Sequence, residues 1–214
     1  MSLKQILKEL EALGDERVRE INAKRGAGSN QYGVKRGDVR TIAKRLKTNH
    51  SLALELWATG NIDARFLAVL LMKPRDISAD ELDRMVRQVD FQDLADWHNN
   101  YIVKNHPARE ELRLKWLKDD HPMAQRAGWS LTSRRISNEP EGLDLPAILT
   151  RLEKEMADAD PNPQWTMNNC LAEIGINFPE HRQRALAIGC SFGIAVGALA
   201  GLAGLAEGRD DGEA

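Results

Sequence analysis

Apolar residues return every three or four positions along almost the whole chain, as in Ile6, Leu7, Leu10 and Leu13, and again in Val39, Ile42, Ala43 and Leu46. That spacing lays them along one side of an α-helix, and the strict alternation that marks a half-buried strand is missing. Turn-forming residues cut the pattern at short intervals: Gly14-Asp15, the GAGSNQYG stretch, Thr48-Asn49-His50, Gly60-Asn61, Lys73-Pro74, Asn105-His106-Pro107, Asp120-His121-Pro122, Asn138 to Gly142, and Asp160 to Pro163. Each such cluster ends one helix and opens the next, so the chain is expected to be all-α, built from about a dozen short helices. Ser78 and Glu81 have capping-box spacing ahead of Leu82, Met85, Val86 and Val89, which sets one helix start.

A chain of 214 residues with 42% apolar and 29% charged content can bury one continuous core. Helices this short, paired with a period of roughly 35 to 45 residues, hide their apolar faces only by stacking on neighbouring pairs. The expected fold is a HEAT-like α-solenoid of stacked antiparallel helix pairs with a concave face, over residues 1–188. Residues 189–214 differ in kind, with the Gly/Ala-rich GCSFGIAVGALAGLAGLA running into the acidic EGRDDGEA. They read as a loose helix or disordered tail rather than a membrane span, since large apolar side chains are scarce. A frame slip in the gene would produce such a break in composition.

The formal charge of −2 excludes a uniformly basic coat, so any polyanion contact must be local. Cys170 and Cys190 form no CxxC motif and the five histidines include no i,i+4 pair. No metal or cofactor is therefore expected, and free cysteines fit a reducing cytoplasm. The start, MSLKQILKELEAL, mixes acids into an amphipathic pattern unlike a signal or transit peptide. A cytoplasmic monomer with no membrane partner is the expectation.

Two basic regions stand out against the net charge. In KRGDVRTIAKRLK, Arg36, Arg40, Lys44 and Lys47 follow one helix edge opposite Val39, Ile42, Ala43 and Leu46, an arrangement that suits a phosphate backbone. Between Lys104 and Arg135, bases outnumber acids and Trp116 and Trp129 are interleaved; a solvated face over a Trp-containing core is the plainer reading of any one of these residues. The segment DFQDLADWHNNY carries three acids. Asp90 is placed to cap a helix and Asp93 to meet its first-turn amides. Asp96 lies too far in for capping, on a stripe with Asp93, Trp97, Asn100 and Lys104, while Leu94, His98, Tyr101 and Ile102 can face the core.

Four blocks, QYGVKRGDVRTIAKRL (31–46), DFQDLADW (90–97), HPMAQRAGWSLTS (121–133) and WTMNNCLAEIG (165–175), in this order on a helical chain, resemble the AlkD-like DNA alkylation repair proteins. The resemblance implies a basic groove holding duplex DNA and, in active members, hydrolytic release of N3- or N7-alkylated purines. A carboxylate there stabilises the oxocarbenium character of the sugar while water attacks. It places Asp96 in the catalytic role and Arg126 at a phosphate, with Gln92, Arg36, Arg40, Lys44, Lys104 and Arg135 as further DNA-binding candidates. Trp97, Trp129, Trp165 and Asn168 are candidates for the groove wall. Two positions depart from the pattern: Gln92 stands where the motif has Trp, and small or polar residues such as Ala172 stand near the second groove Trp. Each lost aromatic wall removes about 1 to 3 kcal/mol of stacking. Trp97 cannot replace it, because one helical step turns a side chain by about 100°. Two outcomes stay open: a glycosylase without its usual walls, and a non-catalytic DNA-binding or protein-interaction scaffold of the same fold.

Overall fold

The computed structural model describes residues 2–191, which form twelve α-helices and two short 3₁₀ turns with no strand among them. The tail expected from residue 189 falls outside the described residues beyond Ser191, and its first three positions complete the twelfth helix. Among the described residues no helix is long and apolar enough to cross a membrane. The chain divides into two compact units, Met1–Leu112 and Arg113–Ala214.

The first unit contains α1 (Leu3–Ala12), α2 (Glu16–Lys24), α3 (Arg36–Leu46), α4 (His50–Ala58), α5 (Ile62–Leu71), α6 (Ala79–Arg87) and α7 (Gln92–Tyr101). Caps start most of them. Ser2 and Gln5 close a reciprocal capping box, Asp15 accepts from the Arg17 and Val18 amides, and Asn49 accepts from the Leu52 amide. At Ser78 the hydroxyl accepts from the Glu81 amide as its spacing predicts.

Helix α5 is the axis of this unit. It is apolar on all sides, eight of its ten residues are buried, and it packs on α3, α4 and α7. A helix of that kind is stable only when surrounded. Its one acid, Asp63, is fully buried, yet its carboxylate is well served. Oδ2 accepts from the Tyr32 and Gly33 amides at 2.6 and 3.0 Å, and Oδ1 accepts from the Val34 amide at 3.0 Å. The Arg36 guanidinium lies 3.9 Å from Oδ1. The loop before α3 is thereby clasped to the first turn of α5. Gly33 is required there: its φ is +79°, and a Cβ would lie 2.5 Å from the Asp15 carbonyl oxygen.

Helix α8 (Arg109–Trp116) leads into the second unit, which holds α9 (Pro122–Asn138), α10 (Leu145–Glu155), α11 (Pro161–Asn177) and α12 (Pro179–Ser191). Pro122 and Pro161 occupy first helical positions, where a missing N–H has no cost. The long helices α9 and α11 pack on each other and enclose Trp129, Ile136, Leu149, Leu152, Met167 and Leu171. Gly128 lets α9 approach the end of α8, since a Cβ there would sit 3.0 Å from the Leu117 nitrogen and 3.1 Å from Trp116.

Candidate nucleic-acid interface

Helix α3 carries its bases on two different errands. Arg36, expected on the phosphate edge, is turned inward. Its guanidinium lies 3.3 Å from the Phe66 ring centroid, donates to the Val34 carbonyl and approaches Asp63. Partial burial lowers its pKa and the Asp63 charge opposes that shift, so it is the half-buried counter-ion of the clasp. Arg45 is bound to Glu9. Arg40, Lys44 and Lys47 are exposed and form no ion pair with an acid among the described residues. They line one depression of about 360 Å³ together with Thr48, Leu70 and Tyr101.

Lys47 closes α3 in an unusual backbone state, with φ 57° and ψ −170°. It is the one non-glycine residue with positive φ among those described. The turn from α3 to α4 is short and tied down on both sides. The Lys47 amide donates to the Ala43 carbonyl, and the Asn49 amide donates to the Leu71 carbonyl at the end of α5. A left-handed, extended conformation at residue 47 satisfies both constraints, in a region that belongs almost wholly to glycine.

Helix α7 starts one residue later than its sequence suggests. Phe91, buried and edge-on to Phe66, is the N-cap, so Asp90 caps nothing. The buried ring fixes where the chain enters, and that anchoring overrides the capping preference of Asp90. Asp93 keeps its first-turn position and pairs with Arg25 at 2.9 Å. Gln92, Asp96 and Asn100 are exposed at four-residue spacing, and Lys104 donates to Asn100 at 3.3 Å. That row contains no aromatic residue.

Trp97 leaves the polar stripe assigned to it. Its Nε1 donates to the Phe66 carbonyl at 3.1 Å, and its ring stands edge-on to Phe66 at 5.5 Å. The other side of the indole meets two groups: Arg40 lies 4.5 Å above the ring, and Tyr101 packs at 4.8 Å and 43°. Tyr101, expected in the core, is 38% exposed, because Trp97 occupies the space against α5. Leu94, His98 and Ile102 are buried as their spacing predicts. Burial pushes His98 down to a pKa of about 3, with nearby Arg65 adding to the effect, so the ring is neutral against Trp57.

In the second unit, three candidates serve the fold. Arg126 is 3% exposed and its Nη1 donates to the Asn162 carbonyl at 3.0 Å, which leaves no open guanidinium for a phosphate. Arg135 donates to the Glu139 and Glu141 carbonyls and fixes the exit of α9. Trp129 is a core residue with Arg151 over its ring, not a groove wall. Trp165 is 59% exposed, and one turn along α11 the half-buried Asn168 has an Oδ1 with no hydrogen-bond partner. No cluster of three or more His, Cys, Asp or Glu suited to a metal occurs among the described residues.

Residues 6–191 match the family described as DNA alkylation repair enzyme. The chain belongs to that family. Among family relatives, the uncharacterized protein Lin0241 of Listeria innocua is 25% identical over 196 residues, covering 88% of this chain and 85% of that protein. The uncharacterized protein Lmo0209 of Listeria monocytogenes is 24% identical over the same shares. A solved structure is similar at a TM-score of 0.77 and 27% identity, covering 90% of this chain and 83% of its own. It represents a new family of proteins related to the HEAT-like repeat DNA glycosylases with affinity for branched DNA structures. The all-α HEAT-like fold is thereby shown, in keeping with the helical spacing of the sequence.

The clasp around Asp63 and the stack of Arg40 on Trp97 were not foreseen from the sequence. For Asp63 a signal existed: a single acid inside NIDARFLAVLL, which is otherwise apolar but for Arg65 and Asn61, must have a buried partner.

Proposed function

We propose that this protein binds DNA through its phosphates and favours branched over linear duplex DNA. The observation that carries the reading is the row of Arg40, Lys44 and Lys47, exposed along α3 and at its C-cap while the neighbouring Arg36 and Arg45 are held by acids. Cations with no internal acid, two of them one turn apart on α3 and the third at its C-cap, match a chain of phosphates and release its counter-ions. The similar solved structure, with its affinity for branched DNA, supports the same partner.

The test is binding of a four-way junction and of a linear duplex with the same arm sequence, each at 50 and 200 mM salt. Three phosphate contacts give a slope of log affinity against log salt of about −2.7. The triple substitution of Arg40, Lys44 and Lys47 to Ala is expected to flatten that slope and weaken the junction complex more than tenfold. Binding that ignores both salt and these substitutions overturns the reading.

A second reading keeps the chemistry: Asp96, exposed on α7, would stabilise the sugar cation as an alkylated purine leaves. Single-turnover release of 7-methylguanine from duplex DNA decides it. Release by the wild type and none by Asp96→Asn supports glycosylase action; no release by either protein removes it.

A further inference from the structure

Arg40, Lys44 and Lys47 stand around a shallow depression that is wide open to solvent. Ala43, Thr48, Leu70 and Tyr101 complete its lining. We propose that this depression seats one unpaired nucleotide of a branched or single-stranded DNA, its base against Tyr101 and its flanking phosphates on Lys44 and Lys47. The inference rests on the DNA-binding reading and adds to it where the DNA must be unpaired.

Four observations converge on that occupant. The depression, at about 360 Å³, is open and shallow, as suits a group that lies on the surface at the end of a longer chain rather than an enclosed small molecule. Its aromatic residue is held, not loose. Tyr101 packs on Trp97, Trp97 is fixed by its bond to the Phe66 carbonyl, and Arg40 covers the indole. A ring braced on one side and 38% exposed on the other offers a ready stacking surface. The charge of the lining is of one sign, three cations and no acid, which selects an anion over a peptide of mixed charge. Finally, the backbone at Lys47 occupies a glycine region while bearing a long charged side chain. Strain of this kind gathers where a side chain is wanted in one place.

A base inside a continuous duplex cannot present its face to Tyr101, because its neighbours in the stack already cover it. Phosphates alone would need the cations but not the ring or the apolar lining. The seat therefore separates unpaired from paired DNA through one residue.

The experiment compares wild type, Tyr101→Leu and Tyr101→Phe on two probes: a three-way fork with 2-aminopurine in an unpaired gap at the branch, and the fully paired duplex of the same length. Thermal melts confirm that each variant folds. Wild type is expected to bind the fork tightly and quench 2-aminopurine. Tyr101→Leu is expected to lose about tenfold in fork affinity and most of the quenching, to hold duplex affinity within twofold, and Tyr101→Phe to behave as wild type. Equal loss on fork and duplex, or no loss on either, overturns the seat while leaving DNA binding in place. Failure of the wild type to bind either probe overturns both the DNA-binding reading and the seat. Loss on replacing Lys44 and Lys47 with none on replacing Tyr101 reduces the depression to a phosphate site and overturns the proposal.

Discussion

Replacing Lys47 by glycine separates two properties that one residue holds together. The backbone at φ 57° and ψ −170° costs a non-glycine residue on the order of 1 to 3 kcal/mol, whereas glycine adopts it freely. Against that gain stands the greater freedom of glycine in the unfolded chain, about 0.5 to 1 kcal/mol. The net is a stabilisation of about 1 kcal/mol, which in a chain of this size raises Tm by about 2 to 4 °C. The same substitution removes one phosphate contact, so the salt slope for DNA should become shallower by about 0.9. Differential scanning calorimetry reads the first quantity and a salt series of anisotropy titrations the second. Lys47→Arg is the control: it keeps the charge and the strain, and neither value should move. A Tm that falls or stays constant in Lys47→Gly refutes the strain argument. A Tm that rises with an unchanged slope shows that the strain serves the turn alone, and takes Lys47 away from the DNA.

Asp63→Ala leaves three backbone amides and the Arg36 guanidinium without their acceptor and should cost on the order of 4 kcal/mol in urea denaturation; a loss below 1 kcal/mol means the clasp is dispensable. His98 binds a proton in the unfolded chain below its ordinary pKa of 6.5 but in the folded chain only near 3. Between those values the unfolded state holds more protons, so stability falls as pH is lowered, by up to about 1.4 kcal/mol per pH unit. His98→Leu should remove that part of the slope between pH 6 and 4, measured as the difference from wild type; parallel curves would rule the residue out. The two thiols should separate in a reaction with a disulfide reagent: exposed Cys190 reacts in the native protein, while Cys170, buried and with its pKa raised, reacts only after unfolding.

What the sequence made legible was set locally. Spacing of three and four residues fixed the helices because each helix must bury one side, and Ser78 marked a start because its hydroxyl reaches its own first-turn amide. Arg36 and Arg40, one turn apart in the same helix, looked alike. What divides them is Asp63 and Trp97, which lie 27 and 57 residues further on and enter only through packing. Arg126 and Trp129 failed as surface candidates for the same reason: composition locates a basic stretch but not the side of the helix that meets its neighbour, while Arg135 stays at the surface and is engaged by the carbonyls that follow its own helix. Asp90 lost its capping role to Phe91, since a buried ring on Phe66 outweighs one side-chain hydrogen bond.

The clasp gives the loop between α2 and α3 two halves of opposite character. Gly26 and Gly28 have open space where a side chain would sit, and only two local bonds, from the Ala27 amide to the Asn22 carbonyl and from Gln31 Nε2 to the Gly28 carbonyl, hold that half in place. A few residues on, the amides of Tyr32, Gly33 and Val34 belong to no helix, yet their protons are held by a carboxylate at the buried start of α5. Exchange with solvent at those three positions has to wait for α5 itself to open, so they should be protected like helix interior while the amides of Gly28 and Ser29 exchange first. An inserted tag or hinge would be tolerated before Asn30 and ruinous just after it, a boundary that falls inside a stretch whose composition reads as uniform loop.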